Sequence, residues 1–150
     1  MRIAVGSDHA GFNLKQEVIE LLRELGHQVY DAGTYSAEPS DYPDFAAIVG
    51  RAVAEGRADA GILICGTGVG MSIAANKIKG VRAAACYDIF TARMAREHND
   101  ANILCLGAWV VGKGVAFEIV KTFLNAKFSE VDRHYRRIAK IKALEEEQCS

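Results

Sequence analysis

The chain has 150 residues, half of them apolar and a quarter charged, enough to bury about two-thirds of its unfolded surface in one core. Lys and Arg number 18 against 19 Asp and Glu, and this net charge of −1 argues against a nucleic-acid partner, whose phosphates draw on a basic excess. No apolar run approaches the ~20 residues of a membrane span, the first residues lack the apolar core of a signal peptide, and four cysteines without CxxC spacing suit a reducing compartment, so a single soluble cytosolic domain over residues 1–150 is expected.

Apolar runs alternate with helix-period segments along the chain. Residues 3–7 read as a short buried strand. Leu14, Val18, Ile19, Leu21, Leu22 and Leu25 then share one broad helical face that Gly26 ends. A second strand at 27–31 leads into a polar stretch at 33–43 that holds both prolines. A helix from near Asp41 buries Phe45, Ile48, Val49 and Val53 and stops at Gly56. Residues 60–65 carry consecutive Ile62, Leu63 and Ile64, the pattern of a strand covered on both faces. A glycine loop, a helix at 71–77, strands at 81–87 and 102–107, and helices at 89–97, 114–128 and 130–147 complete the pattern. Five strands, each followed by a helix, predict an α/β fold: a three-layer α/β/α, Rossmann-like arrangement with a parallel five-stranded sheet and a C-terminal helix. Ligands of such sheets bind at the carboxyl ends of the strands, and the polar segments between elements are expected to gather on that rim.

Asp8 and His9 follow the first strand, where they suit a sugar hydroxyl or an anion; the plainer reading makes Asp8 a helix cap. The third strand ends in Cys65-Gly66-Thr67-Gly68-Val69-Gly70. Alternate glycines let backbone N–H groups turn inward as an anion-receptive nest. The loop is neither a Walker motif nor a good dinucleotide fingerprint. Cys65 directly precedes it, where those N–H groups would favour the thiolate, although an inert core thiol is the alternative. Cys86 and Cys105 lie within apolar strands and read as inert, and Cys149 carries no signal. His98-Asn99-Asp100 is either a helix end or a proton-transfer site, since imidazole titrates near neutrality. Arg133 and Arg137 share a helical face, as a phosphate clamp or as a solvated basic surface. On that helix Ile138, Ile141 and Leu144 form a narrow apolar stripe that covers the chain's own core or reaches another subunit. His9, His27, His98 and His134 lack metal-site spacing, so neither a metal nor another cofactor is expected.

Taken together, Ser7-Asp8-His9-Ala10-Gly11, Asp41-Tyr42-Pro43-Asp44, the block ICGTGVGMSIAANK from Ile64 to Lys77, Glu97-His98-Asn99-Asp100-Ala101-Asn102 and Arg133-His134 with Arg137 resemble a sugar-phosphate isomerase family. It contains the type B ribose-5-phosphate isomerases and the subunits of galactose-6-phosphate isomerase. The resemblance spans nearly the whole chain. It implies aldose–ketose isomerisation through an enediolate, with Cys65 moving the proton between C1 and C2. A second branch of the family carries a glutamate where this chain has Met71, which returns the role of base to Cys65. The resemblance further implies that His98 opens the furanose ring with help from Thr67. Asp8, His9 and Asn99 would hold sugar hydroxyls, and the backbone of Gly66, Thr67, Gly68, Val69 and Gly70 the enediolate oxygens. Arg133 and Arg137 would grip the phosphate, with His134 nearby and His9 reaching in from another subunit. Family members form dimers or tetramers whose sites draw on two chains. The His-Asn-Asp triplet favours ribose 5-phosphate, a metabolite of the pentose phosphate pathway, over a hexose 6-phosphate such as that of allose or galactose. A non-catalytic phosphosugar-binding module is the rival of another class. Two departures bear on the phosphate: Val131-Asp132, with one extra residue, stands where Gly-Gly commonly precedes the arginine helix, and Trp109 stands where some members have arginine.

Overall fold

The computed structural model describes residues 1–149, and of Cys149 the backbone alone. The strands are β1 (Arg2–Ser7), β2 (Gln28–Asp31), β3 (Ala60–Cys65), β4 (Ala83–Ala85) and β5 (Ile103–Gly107). The helices are α1 (Phe12–Glu24), α2 (Tyr42–Ala54), α3 (Val69–Ala75), α4 (Ile89–Glu97), α5 (Lys113–Asn125) and α6 (Asp132–Cys149). All strand pairings are parallel, in the order β2-β1-β3-β5-β4. This is the expected three-layer α/β/α fold.

Strand alternation sends side chains to opposite sheet faces. Ile3, Val5, Ile62, Ile64, Leu104 and Leu106 join Leu14, Val18 and Leu22 of α1, Ala92 and Ala95 of α4, and Ile119 and Phe123 of α5. On the other face Ala4, Leu63, Cys65, Ile103 and Cys105 meet Ala46, Val49 and Val53 of α2 and Met71 and Ala75 of α3. Strand order reverses between β1 and β3: the chain leaves β1 toward β2 on one side and returns on the other as β3. At such a reversal the connections leaving the two carboxyl ends diverge and open a crevice.

Several ends differ from the periodicity. β4 is three residues long rather than spanning 81–87, and the Asn76 side chain pairs with its free edge: its Oδ1 accepts Ala83 N–H at 2.8 Å, and its Nδ2 donates to Ala83 O at 3.0 Å. α3 begins at Val69 instead of 71 because Gly68 already accepts the N–H of Ser72. α6 begins at Asp132 rather than 130, since Glu130 adopts a left-handed φ of 59°. α5 ends at Asn125 because Ala126 is extended.

One buried ion pair braces the crevice from behind. Lys15 of α1 is fully buried, and its Nζ donates to Asp31 Oδ1 at 2.7 Å. The same oxygen accepts the Gly33 N–H, and Gly33 O accepts the N–H of Ser7. Removing Asp31 strands a cation in the interior, whereas replacing the lysine with an apolar chain removes the charge together with its desolvation cost. Asp31→Ala is therefore expected to lower unfolding free energy by about 3 kcal/mol in urea titrations, and Lys15→Met by much less.

Candidate active site

β1 and β3 deliver their following residues to the crevice side by side. The cleft of about 450 Å³ there is lined by Asp8, His9, Ala10, Tyr42, Cys65, Gly66, Thr67, Val69, Gly70, Ile73 and Trp109. Cys65 closes its floor and is 4% exposed. The glycine loop folds back on it, and the Gly68 N–H donates to Cys65 Sγ at 3.1 Å. That turn demands glycine, because Gly68 has φ 82° and a Cβ there would come within 3.1 Å of the Leu106 backbone. Thr67 projects outward, its Oγ1 accepting Val69 N–H at 3.3 Å, while its carbonyl accepts the Tyr87 hydroxyl at 2.7 Å. Burial, and then the thiols of Cys65, Cys105 and Cys86, push the Tyr87 phenol up, so it stays a donor. The other two buried cysteines are poor nucleophiles. Burial pushes the Cys86 thiol up to about 11 and raises Cys105 further.

Asp8 lines the cleft and is not the cap of α1, whose N-cap is Gly11. Its Oδ1 accepts the Gly11 N–H at 3.1 Å and closes the turn into α1. His9 is fixed by a reciprocal pair with Ser40: its backbone N–H donates to Ser40 Oγ, and the Ser40 N–H donates to His9 Nδ1, both at 3.1 Å. A backbone N–H can only donate, so the neutral ring carries its hydrogen on Nε2. His9 is thereby presented as a directed donor.

The remaining predicted residues do not join this cleft within one chain. β3 and β5 run in register from Gly61↔Ile103 to Cys65↔Gly107, so Cys65 lies where strands end, and the segment 98–102 lies where β5 begins. Gly61 and Cys65 are already about 13 Å apart along β3, at ~3.3 Å per residue. The expectation of one common rim is thus corrected. His98 and Asn99 follow α4, which carries the chain back across the sheet, so both lie at the opposite end. Asp100 holds that turn, its side chain bridging Arg82 at 3.2 Å and Arg96 at 3.4 Å. Arg133, His134 and Arg137 on α6 belong to this second cluster. His98 and His134 stack with ring centroids 4.3 Å apart. Both arginines are exposed, whereas His134 is buried.

The sequence matches the Ribose/Galactose Isomerase family over residues 3–141. It is 50% identical to ribose-5-phosphate isomerase B of Escherichia coli (strain K12) over 97% of each chain. Among solved structures, ribose-5-phosphate isomerase B of Clostridium thermocellum superposes with a TM-score of 0.97 at 52% identity, covering 99% of both chains. The Mycoplasma genitalium ribose-5-phosphate isomerase B, determined with bound ribulose-5-phosphate, gives 0.93 at 45% identity and 97% coverage of each. The chain belongs to the Ribose/Galactose Isomerase family.

As a member of that family it is an aldose–ketose isomerase of sugar phosphates. The isomerase's Trp109 is 75% exposed and lies flat against Gly66, where a Cβ would come within 2.5 Å of the indole. Its lip of the cleft is apolar. Three residues that carried no role in the sequence also shape the cleft. Tyr42 lines the cleft, Ser40 orients His9, and Tyr87 anchors Thr67. Tyr42 was visible inside the Asp-Tyr-Pro-Asp motif; Ser40 and Tyr87 act through backbone-dependent bonds that no spacing announces. Among the described residues no helix is long and apolar enough to cross a membrane.

Proposed function

We propose that the protein interconverts ribose 5-phosphate and ribulose 5-phosphate, with Cys65 as the base. The observation that carries this reading is Cys65 at the floor of the crevice, its sulfur accepting the Gly68 N–H beside Asp8, His9 and Thr67. His98 opens the furanose by moving a proton from the C1 hydroxyl to the ring oxygen, with Thr67 assisting. The Cys65 thiolate then takes the C2 proton. The electron pair shifts to a C1–C2 double bond and negative charge falls on the C1 oxygen; the C2 hydroxyl proton passes to that oxygen, and the proton held by Cys65 returns to C1 as the C2 carbonyl forms. N–H groups of the loop at 66–70 stabilise that charge, an effect worth a few kcal/mol per donor. Asp8, His9 and Asn99 hold hydroxyls, and Arg133 and Arg137 hold the phosphate, whose binding energy positions the reacting carbons.

Completing this site takes two copies of the chain. The crevice of one copy receives His98, Asn99 and the arginines of the other, in a homodimer or a tetramer built from such dimers. α6 supports this reading, since it buries Ile138 but leaves Ile141 45% and Leu144 62% exposed. Purified protein assayed on ribose 5-phosphate, allose 6-phosphate and galactose 6-phosphate is expected to favour the pentose by at least about tenfold in kcat/KM, a difference of ~1.4 kcal/mol in transition-state binding. Preference for either hexose overturns the substrate assignment, and binding without turnover or solvent proton exchange overturns the catalytic one.

A further inference from the structure

The turn before α6 puts a serine hydroxyl against the histidine of that helix. Ser129 Oγ lies 2.6 Å from His134 Nδ1 and also accepts the Val131 N–H at 3.3 Å, so the hydroxyl is held against the imidazole. The Ser129 N–H donates to Glu97 O at 3.0 Å, so the same residue is tied to the end of α4, one position before His98. On its other side the His134 ring stacks on His98 at 4.3 Å with an interplanar angle of 31°. His134 is 4% exposed, in contrast to its neighbours Arg133 and Arg137, so little of its ring is left to meet a substrate.

We propose that Ser129 and His134 are a positioning pair for His98: the hydroxyl fixes the His134 ring, and that ring seats the exposed His98 imidazole at the angle from which it reaches the sugar. The inference rests on the reading of His98 as the ring-opening group. It assigns His134 to the histidine beside it rather than to the phosphate. A neutral partner suits the task, because it adds no charge next to a group that must gain and lose a proton. Burial first, then His98, Arg133 and Arg137, hold the His134 pKa below the usual imidazole range.

The test compares two reactions of the full-length protein. Ribose 5-phosphate must be opened before it reacts. Ribulose 5-phosphate has its 5-hydroxyl esterified and no furanose form, so exchange of its C1 proton with heavy water bypasses ring opening. His134→Asn is expected to lower kcat on ribose 5-phosphate by about tenfold, with KM and C1 exchange little changed, as misplacing a reacting group costs rate rather than affinity. Ser129→Ala is expected to lose severalfold in the same pattern, and Ser129→Thr to regain it. Equal losses in both reactions, or a raised KM with kcat intact after His134→Asn, overturn the proposal, the latter making His134 a phosphate ligand. Proton NMR of the His98 ring separates this failure from that of the underlying reading. Loss of the stacked ring in His134→Asn is expected to shift the His98 resonances, and unmoved resonances overturn the positioning claim. A His98→Asn variant that spares ribose 5-phosphate turnover overturns the ring-opening reading instead.

Discussion

Replacing Cys65 with serine is expected to lower turnover at least about a thousandfold while leaving the fold and phosphosugar binding in place. An alcohol is a far weaker acid than a thiol, so at neutral pH the variant holds almost no anion to accept a proton from carbon. The loop geometry survives the change: a serine oxygen can still accept the Gly68 N–H, and the position lies in a well-packed floor where the two side chains differ little in volume. Matching thermal melts for the two proteins, together with retained protection of the melt by ribose 5-phosphate, would assign the loss to chemistry. The neighbouring cysteines cannot substitute. Cys105 is fully buried and Cys86 nearly so, and burial raises both thiols, so neither ionises in reach of the cleft. Serine turning over at near-normal rate would remove Cys65 from the mechanism and pass the role of base to another group of the crevice.

Some of this was legible in the chain and some was not, for reasons of geometry. The consecutive Ile62, Leu63 and Ile64 and the alternation of strand and helix announced a parallel sheet covered on both faces, and β3 and α4 occur at their predicted bounds. Strand order was not legible, because periodicity records which face a residue buries and not which strand lies beside it. The crevice between β1 and β3 follows from that order. The cleft could still be approached through Asp8, His9 and Cys65, which directly follow or end strands. His98 misled for the same reason in reverse. A residue after a helix in this fold lies where the next strand begins, and treating all polar segments as one rim merged two ends of the sheet. Ser129 escaped notice because its part depends on the left-handed turn at Glu130, which no residue type there requires.

The separation of the two clusters leads to the sharpest expectation about the assembled enzyme. Cys65→Ser and His98→Asn, each assayed alone on ribose 5-phosphate, are expected to be nearly inactive. If the crevice of one chain is completed by His98 of another, co-expressing the two variants must restore activity. In a symmetric dimer each contact is made twice, with the roles of the chains exchanged. A mixed dimer then holds one site with both substitutions and one with neither. Random pairing of equal amounts makes half the dimers mixed, each with one intact site of two, so recovery of about a quarter of wild-type activity is expected. Differently tagged subunits would let the mixed dimer be isolated, and it should show about half the wild-type rate. Were each site built within one chain, every site in the mixture would carry one of the substitutions and no activity would return. The placement of Cys65 at the end of β3 and His98 before the start of β5 favours recovery, since the sheet that separates them belongs to the rigid core and cannot fold to bring them together.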